Sequence, residues 1–197
     1  MRLMKNDYCV LSKNKDFERL KGLDEFFIVA LDPAIKNFGM SIESRSWDGE
    51  ASTVSLFKFG VRTERKNNKT KLFTDLTKTL DEYEEWWPHI SLVIVEKQMT
   101  KNPDATQIAY YATSYFLFNC PDAIVVEINP KLKTKVLGGP TGYAAVKRWS
   151  VVKGKEILRE RNDKFGLSQL KGEKLDDMTD TLVESEAFIK YLKRIFG

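Results

Sequence analysis

Two apolar runs in this chain each climb to a single carboxylate. Phe27-Ile28-Val29-Ala30-Leu31 leads to Asp32, and Leu92-Val93-Ile94-Val95 leads to Glu96. Further on, Asp177 and Asp180 stand three residues apart, with Asp176 beside them. On a helix, i and i+3 share a face, so Asp177 and Asp180 project together while Asp176 turns away. Carboxylate oxygens are hard ligands suited to Mg2+. Two such ions, about 4 Å apart, activate a water and stabilise the leaving oxygen of a phosphodiester. Taken singly the acids have plainer explanations: Asp32 as a turn residue, the later three as acids favoured at a helix start. Like charges at i, i+3 nevertheless cost about 0.2–0.5 kcal/mol, which a divalent cation would remove.

The elements that position these groups follow from the pattern around them. Continuous Ile, Val, Leu and Phe read as strands buried on both faces, and Pro33 has no N–H to continue a ladder. Asp32 and Glu96 thus fall at the carboxyl ends of central strands, where open α/β sheets place their ligands. Residues 38–43 alternate and read as a second strand, with a turn at Trp47-Asp48-Gly49 and a third strand over 52–60. Helices are expected over 72–87, 104–118, 143–161 and about 173–194, and another buried strand over 123–128. The acidic face of the first helix (Asp75, Asp81, Glu82, Glu84, Glu85) reads as solvated surface. The helix over 104–118 is apolar over so wide an arc that it is expected to be buried, against its own core or a second copy. The order predicts an α/β fold, a mixed five-stranded sheet flanked by helices, spanning residues 25–197 after an N-terminal extension of 1–24.

A chain of 197 residues, 42% hydrophobic and 30% charged, has enough apolar matter for one full core and too much for disorder. One histidine makes a His-rich zinc site improbable, and two distant cysteines read as free thiols of a reducing compartment. No run reaches the roughly 18 apolar residues of a membrane span, and the first residues lack a signal core. A soluble intracellular protein with no membrane partner is expected. The formal charge of +4 is modest, but it is unevenly spread. Residues 58–71 carry a net +5 and residues 131–164 a net +7, which suits a phosphate backbone. Tyr143, beside a basic loop, is placed to stack on an unpaired base, whereas Phe57 and Phe59 fit core packing better.

Three stretches taken in order carry a resemblance: Leu31-Asp32-Pro33 with Lys36-Asn37-Phe38-Gly39, then Val93-Ile94-Val95-Glu96-Lys97-Gln98, then Asp177-Met178-Thr179-Asp180-Thr181-Leu182. Over about residues 26–190 the chain resembles the RuvC-type Holliday junction resolvases, most of all their poxvirus and large-DNA-virus branch. It departs from many members in carrying Ala34 where they have glycine. The resemblance implies an RNase H-like fold and a homodimer that nicks four-way DNA junctions symmetrically with Mg2+, two ions per site, Mn2+ substituting. It implies that Asp32, Glu96, Asp177 and Asp180 bind metal and that Lys133 and Lys147 are basic catalytic residues. Lys131, Lys135 and Arg148 lie close enough in sequence to exchange roles with those two. DNA contact is expected from Lys36, Asn37, Gln98, Lys131, Lys133, Lys135, Lys147 and Arg148. For a viral protein it further implies work in the host cytoplasm, where viral DNA is replicated.

Two alternatives compete. A junction-binding module without catalysis would use the acids only as helix caps and need no metal. A ribonuclease of the same fold would prefer RNA–DNA hybrids. The strand-end position of Glu96 favours the RuvC arrangement, since ribonuclease H usually places its glutamate on a helix. Actin-like ATPases also open on a strand-end aspartate, but need two such domains and glycine-rich phosphate loops.

Overall fold

The computed structural model describes residues 7–61, 69–99 and 101–197. Its centre is a six-stranded mixed sheet made of β1 (Tyr8–Val10), β2 (Phe26–Asp32), β3 (Phe38–Arg45), β4 (Ala51–Phe59), β5 (Ile90–Glu96) and β6 (Ile124–Ile128). The strand order is β1-β6-β5-β2-β3-β4. β2, β5 and β6 run parallel, while β3, β4 and β1 add antiparallel edges. The sheet has one strand more than the five expected. Tyr8–Val10, in the stretch read as an extension, pairs with Ile128–Val126. Phe17 and Leu20 from the same stretch are buried in the core.

Both faces of the central strands are covered, which is why their sequences read as unbroken apolar runs. Val29, Leu31, Val93, Val95 and Val125 face α1 (Lys69–Asp81) and α2 (Pro103–Asn119), meeting Leu76, Leu80, Ile108 and Phe116. Ile28, Ala30, Leu92, Ile94 and Val126 face the other way, onto Leu132 and Val136 of α3 (Lys131–Leu137) and Phe188, Tyr191 and Leu192 of α6 (Asp176–Phe196). The basic helix α4 (Tyr143–Glu160) lies against α6, and the short α5 (Lys164–Gln169) against β4.

Some boundaries differ from expectation. The helix expected over 72–87 ends at Asp81, and a 3₁₀ turn from Glu84 to His89 carries the chain past Pro88 into β5. The last helix begins at Asp176, because residues 171–175 form a loop with Gly172 and Lys174 at positive φ. α2 buries Ile108, Ala112 and Phe116 but leaves Tyr110 64% and Phe118 83% exposed. Most of the basic stretch 58–71 lies outside the described residues. No helix among the described residues is long and apolar enough to cross a membrane.

Candidate active site

Asp32 and Glu96 are the last residues of two adjacent parallel strands, and the Leu31–Val95 register sets them side by side. The start of α6 comes down over this edge because the sheet has no side chain in its way. Gly39 pairs with Asp32 across β2 and β3, and a Cβ at Gly39 would run into the backbone carbonyl of Asp177. Gly154 of α4 plays the same part on the far side of α6, where a Cβ would meet Thr179. The helix start is thus clamped between two glycine contacts.

From that start, Asp177, Asp180 and Glu184 follow one another along a single face at i, i+3 and i+7. α3 delivers the opposing charge. It begins directly after β6 ends, and it sends Lys133, only 4% exposed, into the acids. The Lys133 Nζ lies 2.8 Å from Asp180 Oδ1, 2.8 Å from Glu184 Oε1 and 3.2 Å from Glu96 Oε1. Ser150 of α4 donates a further hydrogen bond of 2.5 Å to Asp180 Oδ1.

One ammonium among four carboxylates leaves the cluster short of positive charge, and the titration behaviour reflects it. Burial pushes Asp32 well above the usual carboxylate range, and the charges of Glu96 and Asp180 push it further. Burial and the charges of Glu96 and Asp32 do the same to Glu184. Burial also works against ionised Glu96, but Lys133 and hydrogen bonding hold that carboxyl below its ordinary value. For Lys133, burial opposes the charge and the four acids overcome it, so its ammonium is held well above the usual range. Among the described residues, no donor reaches the buried oxygens Asp177 Oδ2 and Glu184 Oε2, although the carboxyls of Glu184 and Glu96 share a hydrogen bond.

Lys147 ion-pairs with Asp176 and lies 4.0 Å from Asp177 Oδ1, with its Nζ 5.3 Å from the centre of the Tyr143 ring. Gln98 is 3.5 Å from Glu96 Oε2. Asn37 is half-buried, while Lys36, Lys131 and Arg148 are exposed. Lys135 is paired with Asp7 Oδ2 at 2.7 Å, on the β1 side. Lys133, expected also to touch DNA, faces the acids instead of solvent. Asp177 stands with Lys147 and Asp176 rather than in the Lys133 cluster. Among the described residues, no three acids are arranged as ready-made ligands of one ion.

Sequence reasoning missed Glu184. Its signal was present: an acid one turn beyond Asp180, on the face that already carried two. It also missed α3 as a helix, and with it the reason that Lys133, rather than Lys131 or Lys135, reaches the acids.

Comparison with known proteins gives a family and a fold. The sequence profile of the family described as the poxvirus A22 protein matches residues 26–191. "Uncharacterized protein 97L" of Invertebrate iridescent virus 3 is 28% identical over 154 residues, covering 77% of this chain and 73% of that protein. Among solved structures, RuvC of T. thermophilus in complex with a Holliday junction substrate superposes with a TM-score of 0.56 at 12% identity, covering 84% of this chain and 96% of that one. The yeast mitochondrial Holliday junction resolvase Ydc2 gives 0.59 at 15% identity, covering 90% and 86%. The strand-end acids, the acidic face of α6 and a profile match across nearly the whole sheet lead to one conclusion: the chain belongs to the poxvirus A22 protein family, on an α/β fold of the RuvC type.

Proposed function

We propose that this protein is a structure-selective endonuclease that resolves four-way DNA junctions by metal-dependent hydrolysis of the phosphodiester. The observation that carries this is the charge deficit at the strand ends, where Asp32, Glu96, Asp180 and Glu184 share one ammonium. Family membership and the fold it shares with junction resolvases support the choice of substrate.

The residues suit a divalent cation. All the donors are hard carboxylate oxygens, their charge is under-compensated, and one buried oxygen of Asp177 lacks a partner. Asp32, Glu96 and Asp180 would hold the ion, with Asp177 alongside, and Mg2+ or Mn2+ matches the set. A divalent ion held there would supply an activated water and stabilisation of charge on the phosphodiester. The chain's own residues do the rest. Lys133 keeps the acids together and supplies a positive charge beside the reacting phosphate. Lys147 holds Asp176 and Asp177 in place, and Lys36, Lys131 and Arg148 contribute exposed charge along the path of the backbone. Tyr143, 78% exposed next to Lys147, offers a face for an unpaired base.

Two symmetric cuts need two sites. The exposed Tyr110 and Phe118 of α2 are the surface a second copy would cover, giving a two-fold dimer. In an infected cell such an enzyme would work at the sites of viral DNA replication. A competition assay tests the substrate: labelled four-way junction, linear duplex and RNA–DNA hybrid offered together in Mg2+. Paired nicks on opposite junction strands are expected. Preferential cutting of the hybrid would make this a ribonuclease instead.

A further inference from the structure

Three carboxylates hold Lys133, and they are not equivalent. Glu96 and Asp180 match the acids expected to bind metal, and each retains some access to solvent. Glu184 is fully buried, lies one turn deeper along α6, and among the described residues has Lys133 as its one ion-pair partner. Were Glu96 and Asp180 to hold a divalent ion, Glu184 would be the ion-pair partner left to Lys133.

We infer that Glu184 is a positioning residue that anchors the Lys133 ammonium, so that a metal ion can take over Glu96 and Asp180 without expelling the lysine or competing with it. This rests on the proposed metal-dependent reading of the site. The geometry favours it in two ways. A buried carboxylate is costly unless paired, and the 2.8 Å contact to Lys133 Nζ is the pairing that Glu184 has. The other group against it is Glu96, whose carboxyl shares a hydrogen bond with that of Glu184, so among the described residues Lys133 is the cation that holds the side chain. Without Glu184, Lys133 has only the metal-binding acids to sit on, and each ion that enters must displace it.

The test is a double-mutant cycle read first without DNA. Mg2+ binding to the full chain is measured by calorimetry for the native protein, Glu184→Gln, Lys133→Met and the double variant. Glu184→Gln should weaken Mg2+ binding about tenfold in the native background and by less than about twofold once Lys133 is Met, because interacting sites are non-additive. Equal weakening in both backgrounds would make Glu184 an independent contributor to the ion's site and overturn the inference. So would a Glu184→Gln protein that melts early but binds Mg2+ as the native chain does. If Glu184→Gln does not fold alone, Glu184→Asp runs the same cycle, keeping the charge at shorter reach. Junction nicking by the same four proteins forms the second readout, where Glu184→Gln should lower the maximal rate and add no loss to Lys133→Met. A native chain that binds Mg2+ yet leaves junctions intact would overturn the nuclease reading but not the Glu184 anchor. A native chain that binds no Mg2+ would overturn both.

Discussion

Helix α6 carries two buried clusters of charge, and they are built on opposite terms. On one side, Glu43 of β3 and Glu186 of α6 meet Arg45 and Arg161 in contacts of 2.7–3.1 Å. Ser185 donates a further bond of 2.6 Å to Glu43, and Lys190 reaches Glu186 at 3.1 Å. There every carboxylate has a cation of its own. Burial opposes ionisation of both acids, but the two arginines overcome it, and Glu186 is lowered to about 2. On the other side, Asp32, Glu96, Asp180 and Glu184 share Lys133, and two of the four are pushed upward. The same helix thus holds one cluster that is charge-matched and closed, and one that is short of positive charge. The first ties β3 and α6 to Arg161 at the end of α4; the second would gain from an added cation.

The contrast can be broken by exchanging carboxylate for amide on either side. The largest effect expected is on catalysis. Asp32→Asn should lower junction nicking by about a hundredfold to a thousandfold, a loss on the scale of removing one preorganised charge-stabilising group. Glu43→Gln should leave the rate per folded molecule near native, as single-turnover assays corrected for active fraction would report.

Next in size is stability. Arg161→Leu leaves Glu43 and Glu186 under-compensated in the interior, which should cost about 3–5 kcal/mol in denaturant unfolding. The amide exchange should also change sign between the clusters. In metal-free protein at neutral pH, Asp32→Asn relieves a carboxylate that burial and its neighbours disfavour, so it should raise the melting temperature. Glu43→Gln removes a carboxylate held by two arginines and should lower it. Equal and opposite results would sharpen the distinction; the same sign at both sites would end it.

A smaller effect is expected with pH. Glu186 is lowered from 4.5 to about 2 on folding, so its contribution is complete above 4.5 and is lost as pH falls toward 2. Asp32 runs the other way. Its raised value means that the metal-free fold is disfavoured as pH climbs through it, and that Mg2+ must displace a proton. Mg2+ affinity should therefore rise with pH above the ordinary carboxylate range. Proton release should appear in calorimetry as a dependence of the measured enthalpy on the buffer.

The unequal legibility of the two clusters has the same physical origin. Asp32 and Glu96 were visible in the sequence because each interrupts an apolar run at a strand end, and Asp177 with Asp180 because helical spacing is local. Glu184 lies within reach of that same argument, one turn beyond Asp180 on the same face. The Glu43–Arg45–Arg161–Glu186 cluster has no local signature, since Arg161 meets Glu43 across more than a hundred residues of sequence. β1 is three residues long, too short for alternation to show, and it holds its place through pairing with β6 and the packing of Tyr8 on Phe188. The seven residues of α3 are hidden by their own charge: Lys131, Lys133 and Lys135 belong to a basic stretch, although Leu132 and Val136, four apart, fix it to the core.

The under-compensated cluster is proposed as the centre of a metal-dependent junction nuclease. The most direct measurement is nicking of a labelled synthetic four-way junction by the native chain and by Asp180→Asn, each in Mg2+ and in EDTA. The account predicts paired, symmetric nicks from the native protein in Mg2+ alone, with junction binding retained by Asp180→Asn. Nicks that persist in EDTA or in Asp180→Asn would contradict it, and so would tight junction binding with no nicks in any condition.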